Sequence, residues 1–314
     1  MTSTNSLYIN QLPDEIRSRR ERAMARWAAI GLEQPNLGRA LDLQRRLVGR
    51  QLDLLATLGP VVAAVAPPTE THVLDLLADG FPVLRGGIGP LPVDLLGPVM
   101  VDLSSDIAEI SGYHAATRVG EAIASGTIDA AALLACVYQR DQDAVRQMAA
   151  DPHVVVDLLW LVGDLVAAPV VYMQQVAALR ESVPDSPVRD ALERWEQGYC
   201  PACGSWPALA EFFFGERLLR CAFCAATWRP PAGRCAYCGT TGADFRTIAV
   251  DKERPGRRLE LCRGCGGFLK TLDVELVTPF PLVAIEDLAS SDLDQAALHH
   301  GFKRLPLPVL RPSS

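Results

Sequence analysis

Four Cys-x-x-Cys pairs lie within 66 residues of this 314-residue chain. The pairs are Cys200/Cys203, Cys221/Cys224, Cys235/Cys238 and Cys262/Cys265. Eight thiolates are enough for two tetrahedral sites, and four thiolates are the ligand set of zinc ribbons and of rubredoxin-type iron sites. The sequence therefore predicts two metal ions per chain, bound by these eight residues.

Paired cysteines also form disulfides or thioredoxin-like redox centres, and the sequence disfavours both. Structural disulfides indicate an oxidising compartment, but residues 1–11 carry neither a positive charge nor an apolar run as long as that of a secretory signal. A thioredoxin-like centre has one such motif at the start of a helix, whereas this chain has four in a segment rich in hairpin signals. We therefore expect a reduced, cytoplasmic, metal-binding protein.

The sequence between the pairs indicates which cysteines share an ion. Residues 209–220 are typical of a β-hairpin, with Gly215 at the first position of a type II′ turn, and residues 245–261 predict a second hairpin. Each hairpin folds one pair back onto the next. We therefore expect the first two pairs to bind one ion and the last two pairs to bind the other, with a cross-braced pairing as the alternative.

Glycine follows the second cysteine of three pairs, at Gly204, Gly239 and Gly266. Glycine readily adopts a positive φ, which lets backbone N–H groups turn toward the thiolates. The remaining pair is followed by Ala225, so we expect that knuckle to be less regular.

Charge patterning argues against a nucleic-acid partner. The chain has a formal net charge of −7, but residues 200–270 hold eleven basic and six acidic residues. A basic metal module suggests nucleic-acid binding. Eight thiolates with two divalent ions contribute about four negative charges, so the loaded module is close to neutral.

The first 185 residues predict an all-helical region. Apolar residues recur at helical spacing, at Leu37, Leu41, Val48, Leu52, Leu55 and Leu58. Residues 154–179 are apolar and long enough for a membrane span. Asp157, Asp164 and Pro169 interrupt this run, which favours a buried central helix and no membrane span. A last helix is expected over Asp287 to His300.

Other reactive residues give no catalytic set. Asp157 and Asp164 lie seven residues apart on one helix face, where a contact or solvent exposure is favoured over an acidic catalytic pair. The adjacent His299 and His300 are interpreted as solvated, and Cys136 as a buried thiol. The sequence therefore predicts a protein that is not an enzyme and has no catalytic residues.

The cysteine segment resembles a known family, the formate dehydrogenase accessory proteins called FdhE. The resemblance rests on the knuckles and their neighbours, at 200–205, 221–228, 235–239 and 262–270, and on the acidic segment at 286–294. Phe268 stands where the family tends to have tyrosine, and Ser290 and Ser291 depart from the acidic segment. The helical region is also compatible with the family, through softer motifs over residues 37–51.

The resemblance implies a cytoplasmic maturation factor that binds the catalytic subunit of a respiratory formate dehydrogenase before export. It also implies iron in rubredoxin-like sites. The expected fold is multidomain α+β. A helical domain covers 1–186, a first four-cysteine ribbon module covers 187–231, and a second ribbon module with the C-terminal helix covers 232–314.

Two other functions remain open. The oligomeric state is also open, and a homo-oligomer is one of the alternatives. Iron–thiolate sites could make the chain a rubredoxin-like electron carrier or a thiol-redox protein. Zinc in the same ligands could make it a zinc-ribbon protein that binds nucleic acid. Four thiolates accept either ion, so the sequence leaves zinc as the alternative to iron.

Overall fold

Helices fill the first part of the chain, and within the described residues the strands lie between Pro207 and Asp273, in the segment that carries the cysteine pairs. The computed structural model describes residues 4–63, 67–85, 91–149, 153–179 and 186–308. The described helices are α1 (Thr4–Glu33), α2 (Gly38–Ala63), α3 (Glu70–Ala78), α4 (Val93–Ser111), α5 (Ala115–Ala124), α6 (Ala130–Tyr138), α7 (Gln142–Met148), α8 (Val156–Leu179), α9 (Pro187–Glu193), α10 (Val283–Ala289) and α11 (Ser291–His299). This order, helices followed by a sheet region with the cysteine pairs, confirms the predicted fold class.

The apolar spacing that predicted a helix after residue 37 marks the buried face of α2. Leu41, Val48, Leu52, Leu55 and Leu58 are all at most 2% exposed. Leu37 precedes α2 in a short 3-10 turn and is only partly buried. The helical period therefore identified the core face, and the helix begins one residue after the first predicted position.

Helix α8 contains the long apolar run. It is long and apolar enough to cross a membrane by length and composition, but 67% of its most apolar window is buried within the protein. Val162, Val166 and Val171 are completely buried. This pattern of burial is that of a core helix, which is the structure that the residues interrupting the apolar run predicted.

The strands form one six-stranded sheet in the order β3-β2-β1-β6-β5-β4. They are β1 (Pro207–Phe213), β2 (Glu216–Cys221), β3 (Thr227–Trp228), β4 (Phe245–Ala249), β5 (Arg257–Cys262) and β6 (Phe268–Asp273). The pairs β1–β2, β2–β3, β4–β5 and β5–β6 are antiparallel. We call β1–β3 the first half of the sheet and β4–β6 the second half.

A parallel pairing of β1 with β6 joins the two halves, with Leu209 opposite Lys270 and Glu211 opposite Leu272. Both predicted hairpins are present, as β1–β2 and β4–β5. The first turn differs from the prediction, because Phe213 pairs with Glu216 and the turn residues are Phe214 and Gly215, with φ of 49° and 82°. Positive φ values at both turn residues define a type I′ turn, in which glycine is preferred at the second position. Gly215 occupies that position, and Phe214 adopts the strained positive φ at the first.

The predicted last helix is two helices. Helix α10 ends at Ala289 and α11 begins at Ser291, with Ser290 between them at φ −108°. The Ser290 hydroxyl donates a hydrogen bond of 2.6 Å to the Glu286 carbonyl. A serine that bonds back to the preceding turn competes with the helical backbone pattern, which explains the break.

The chain divides into two compact units. The first comprises residues 1–66 and 87–174, and the second comprises residues 67–86 and 175–314. The second unit thus includes α3 with the whole sheet, α10 and α11. The sequence-based boundary at residue 186 follows residues 180–185, which lie outside the described residues, and the boundaries at 186 and 231 stay predictions.

Candidate metal centre

Two groups of four cysteines come together on the sheet. In each group the four sulfur atoms lie within 4.8 Å of one another. The first cluster contains Cys200, Cys203, Cys221 and Cys224, and the second cluster contains Cys235, Cys238, Cys262 and Cys265. This is the sequential grouping, in which each hairpin returns one pair to the next; the cross-braced alternative is not the arrangement found.

All four knuckles share one backbone pattern. The N–H of the first cysteine donates to the carbonyl five residues later: Cys200 to Ser205, Cys221 to Ala226, Cys235 to Thr240 and Cys262 to Gly267, at 2.9–3.0 Å. Cys221 and Cys262 are also the last residues of β2 and β5. In each cluster, one knuckle therefore begins at the end of a strand, and the other knuckle precedes the hairpin in the sequence.

The residue after each second cysteine has a positive φ in every knuckle. The values are 78° at Gly204, 74° at Gly239, 70° at Gly266 and 54° at Ala225. The Cys221/Cys224 knuckle is nevertheless less regular in its hydrogen bonds, as expected. The N–H groups of Gly204, Gly239 and Gly266 each donate to the carbonyl of the first cysteine of their knuckle, at 2.9–3.0 Å, and no such bond joins Ala225 to Cys221, although Ala225 adopts the same left-handed conformation. The cost is backbone strain of about 1–3 kcal/mol at a non-glycine residue.

The sulfur separations fit a tetrahedral metal site. In the first cluster Cys200 lies 3.6 Å from Cys224, and Cys203 lies 3.4 Å from Cys221, sulfur to sulfur. In the second, Cys238 lies 3.5 Å from Cys262 and Cys235 lies 3.8 Å from Cys265. Metal–sulfur bonds of about 2.3 Å in a tetrahedron separate the sulfurs by about 3.8 Å, whereas a disulfide separates them by about 2.05 Å. Both clusters could hold metal ions, and the distances exclude disulfides within them.

Backbone donors point at the sulfurs, as thiolate ligands require. The Cys221 sulfur accepts from the N–H groups of Phe223 and Cys224, at 3.3 and 3.4 Å. The Cys235 sulfur accepts from the N–H of Tyr237 at 3.4 Å. Such donors hold a ligand in place and stabilise its negative charge.

The first cluster is buried, with all four cysteines at most 2% exposed. Burial, followed by interactions with the neighbouring thiols, raises the pKa of Cys200 and of Cys224 well above the ordinary value. Without a cation these thiols therefore keep their protons. A bound divalent ion would displace the protons and compensate the buried charge.

Residues 80–85, which lie far upstream in the sequence, contribute to the burial of the Cys200/Cys203 knuckle. Val83 and Leu84 donate backbone hydrogen bonds of 2.9 Å to the carbonyls of Pro201 and Ala202. The Tyr199 hydroxyl donates to the Gly80 carbonyl at 2.7 Å. Residues 80–85 thus cover the first knuckle from more than 110 positions upstream, a contact that sequence reasoning missed because no local pattern encodes it.

The second cluster is open on one side. Cys238 is exposed and Cys265 is partly exposed, whereas Cys235 and Cys262 are buried. Partial burial raises the pKa of Cys238, but hydrogen bonds with the Thr240 side chain and backbone outweigh it and lower the pKa to about 7. Burial raises the pKa of Cys265 to about 11 and that of Cys235 further. Of these three cysteines, Cys238 is therefore the one whose thiol ionises most readily.

The Cys235/Cys238 knuckle packs on a glycine. A side-chain Cβ at Gly198 would lie 1.4 Å from the Ala236 carbonyl oxygen, so only glycine fits beneath this knuckle. Trp206 contacts Tyr237 edge-on, with ring centroids 5.1 Å apart, and Tyr199 lies 6.2 Å from Trp206. These aromatic side chains connect the Cys200/Cys203 knuckle with the Cys235/Cys238 knuckle, as a small core between two ribbons would.

Ion pairs support both halves of the sheet in different ways. In the first half, Arg220 pairs with Glu211 at 2.5 Å, both at most 2% exposed, and Arg220 also donates to the Ala225 carbonyl at 3.1 Å. In the second half, the buried Lys270 pairs with Asp287 at 2.6 Å and with Asp294 at 2.7 Å. Arg304 pairs with the same two carboxylates. Thus the acidic segment that resembles the FdhE motif neutralises a buried lysine within the second half.

The other reactive residues do not join either cluster. Asp164 forms an ion pair with Arg140, while Asp157 is exposed. His299 and His300 are exposed and contact each other edge-on. Cys136 is partly exposed, which corrects the expectation of a buried thiol. Within the described residues no further group of three or more metal-ligating side chains is found.

Comparison with known proteins identifies relatives of this chain. No family model matches it. It is 32% identical over 118 residues to a protein named FdhE homolog from Aquifex aeolicus (strain VF5), a match that covers 35% of this chain and 40% of the relative. It is 31% identical over 120 residues to an FdhE homolog from Stutzerimonas stutzeri (strain A1501), covering 37% of this chain and 39% of the relative. The chain thus spans about two fifths of the length of these curated relatives.

A solved structure extends the likeness to the whole fold. The crystal structure of the FdhE protein from Pseudomonas aeruginosa matches with a TM-score of 0.57 and 21% identity, over 92% of this chain and 94% of that one. At this identity the match shows a shared fold. The curated relatives and the shared fold together support the FdhE family, which is the family that the four cysteine knuckles resemble.

Proposed function

We propose that this chain is an accessory factor for a formate dehydrogenase. It acts in the cytoplasm, binds the catalytic subunit of that enzyme, and supports its assembly or activation before export. The observation that carries the proposal is the pair of four-cysteine clusters on one sheet, in a fold shared with an FdhE protein. The connection to formate dehydrogenase comes from the relatives, which are named FdhE homologs.

The proposal includes two metal ions, one in each cluster, with the eight cysteines as ligands. Iron is the ion we propose, and zinc is the alternative for the same ligand set. When bound, such an ion supplies positive charge that stabilises the folded knuckles. Metal analysis of anaerobically purified protein, with a visible spectrum, tests this part, because ferric four-thiolate sites are coloured and zinc sites are colourless.

The chain's own role in this proposal is binding, without catalytic turnover. The acids and histidines singled out in the sequence lie apart from the clusters or are engaged in ion pairs. The proposed docking surface includes the second cluster, because its exposed Cys238 and the adjoining backbone are accessible to a partner. The boundaries at 186 and 231 belong to the proposal as well.

Copurification with the catalytic subunit tests the partner. The wild-type chain and the Cys136→Ser variant are both expected to copurify with it, because Cys136 lies outside both clusters. The Cys235→Ser/Cys238→Ser double variant is expected to remain folded in its helical unit and to lose most of this binding. Equal binding by all three would remove the second cluster from the docking surface, and no binding by the wild type would refute the partner.

Electron transfer is a second candidate function, favoured by one observation. A rubredoxin-like carrier needs an iron site near the surface, and Cys238 brings the second cluster to the surface. This candidate requires iron with a reversible redox couple, which voltammetry of the iron-loaded protein measures. Salt-sensitive binding to RNA or DNA by the zinc-loaded protein would instead favour the nucleic-acid alternative.

A further inference from the structure

The two clusters differ most in access to solvent. The first is closed, and residues 80–85 contribute backbone hydrogen bonds to its cover. The second has Cys238 at the surface and Cys265 partly exposed. A ligand that is already in contact with solvent can be replaced without opening the fold, whereas a buried ligand becomes accessible only through local unfolding.

A cavity lies beside the exposed ligand. It has a volume of about 360 Å³ and is lined by Cys235, Tyr237 and Cys238 on the knuckle side. Glu196 and Arg234 also line it, and Arg234 donates a hydrogen bond of 2.7 Å to the Glu196 carbonyl. The space suits a small molecule, and the Arg234 guanidinium can pair with a carboxylate of such a molecule.

The packing around this cavity fixes Cys235 and Cys262 more firmly than Cys238. Cys235 is buried and its sulfur accepts a hydrogen bond from the Tyr237 N–H at 3.4 Å, and Cys262 is buried at the end of strand β5. The exposed Cys238 contacts Thr240, at 3.1 Å, and Cys262 through its sulfur. Cys238 is therefore the ligand that an external donor can replace with the least disturbance.

We propose that the second cluster is an exchange site, at which a metal ion is passed to and from small anionic thiol ligands that enter the cavity beside Cys238. In this exchange an external thiolate takes the coordination position of the Cys238 thiolate, which leaves with its electron pair and takes up a proton from water. No oxidation state changes. The first cluster releases its ion only through local unfolding and is structural. The inference rests on the metal-binding part of the proposed function.

Release of zinc to a coloured chelator tests the proposal. Wild-type protein carrying two zinc ions is mixed with 4-(2-pyridylazo)resorcinol, with and without glutathione as the anionic thiol. One ion is expected to leave at least about ten times faster than the other, because the slow ion needs local unfolding. Glutathione is expected to accelerate the fast phase alone.

Two matched variants assign the phases. Cys203→Ser and Cys238→Ser remove the second cysteine of a knuckle in the first and second cluster, respectively. The Cys238→Ser protein is expected to keep only the slow ion, and the Cys203→Ser protein only the fast one. The reverse assignment would overturn the proposal.

Alkylation of the wild type distinguishes the two clusters without any variant, so this test does not depend on whether a variant folds. With a limiting amount of iodoacetamide, peptide mass spectrometry of the zinc-loaded protein is expected to find Cys238 modified before any cysteine of the first cluster. Modification of the first cluster before Cys238, or release of both ions at one rate, would overturn the exchange site and leave the proposed function intact. A total of fewer than two zinc ions per chain would refute the metal sites themselves.

Discussion

The two halves of the sheet use the same knuckle in different surroundings. Both halves place a Cys-x-x-Cys turn before a hairpin and another at the end of a strand, and in all four turns the N–H of the first cysteine donates to the carbonyl five residues later. The first half buries its four cysteines completely, whereas the second half exposes Cys238. The comparison shows that the motif determines the ligands and their grouping, while the surrounding chain determines whether the site is closed.

The charged residues repeat this difference. Glu211 and Arg220 form a pair that is buried on both sides in the first half. In the second half Lys270 is buried, but its partners Asp287 and Asp294 are 33% and 19% exposed. The first half should therefore respond more strongly to the loss of a partner, and four predictions test this difference.

The largest effect is expected from loss of a ligand at a strand end. Cys221 and Cys262 each end a strand and are each 1% exposed, which makes them a matched pair. Binding of a structural ion contributes about 10–16 kcal/mol in small zinc domains. We expect Cys221→Ser to lower the Tm of the metal-loaded protein more than Cys262→Ser does, because the first cluster lies in the closed half. Each variant should retain one ion, and Cys136→Ser should retain two. A larger loss of Tm in Cys262→Ser would contradict the comparison.

The next effect is expected from the buried pair. Replacing Glu211 by Gln leaves the Arg220 guanidinium buried without a carboxylate, which costs about 3–5 kcal/mol. Asp273→Asn is the control in the second half, because its pair with Arg258 is 52% exposed on the carboxylate side and is worth at most about 1 kcal/mol. Denaturant unfolding of both variants measures the difference. Similar losses in the two variants would show that burial does not distinguish these pairs.

A smaller effect, an increase in the free energy of unfolding, is expected at the knuckle that contains Ala225. Ala225→Gly should relieve the cost of the positive φ and raise the free energy of unfolding by about 1 kcal/mol. Gly239→Ala introduces the same strain into the second half and should lower it by a similar amount. Equilibrium unfolding of the two variants gives both values. A destabilised Ala225→Gly protein would mean that the methyl group's packing outweighs the backbone strain.

The smallest effect is the loss of stability expected as the pH falls. Burial raises the pKa of Asp287, but the charges of Lys270 and Arg304 outweigh it and hold the pKa below its usual value. A lowered pKa in the folded state contributes stability above the pKa of the unfolded chain, and this stability is lost as the pH falls through the folded value. We therefore expect wild-type stability to fall below about pH 4. Asp287→Asn should flatten this decline, as thermal unfolding between pH 3 and 6 would show; an unchanged slope would exclude Asp287 as the cause.

The site and its supporting hairpins could be predicted from local sequence, because the features that encode them are local. The Cys-x-x-Cys spacing, the glycines that follow and the alternating strands all act within a few residues. One local inference failed for a physical reason. Gly215 is the second turn residue, not the first, because the strands pair one residue earlier.

The surroundings of the clusters could not be predicted, because they depend on distant contacts. Nothing in residues 80–85 signals that they cover the first knuckle. The positions of Asp287 and Asp294 in the sequence do not show that they neutralise Lys270. The parallel contact of β1 with β6 also has no local signal, and it turns two expected ribbons into one sheet.

That parallel contact imposes an order on the folding of a chain made from its N-terminus. Residue Leu209 has its β1–β2 partner Arg220 eleven residues later, but its β6 partner Lys270 is 61 residues later. All four thiols of the first cluster leave the ribosome before the second hairpin exists. One edge of β1 stays without a strand partner until residues 268–273 arrive, and an unpaired edge invites wrong pairing. Early capture of an ion by the first cluster would therefore protect the growing chain, since it would fix β1 and β2 as the template on which the rest of the sheet is built.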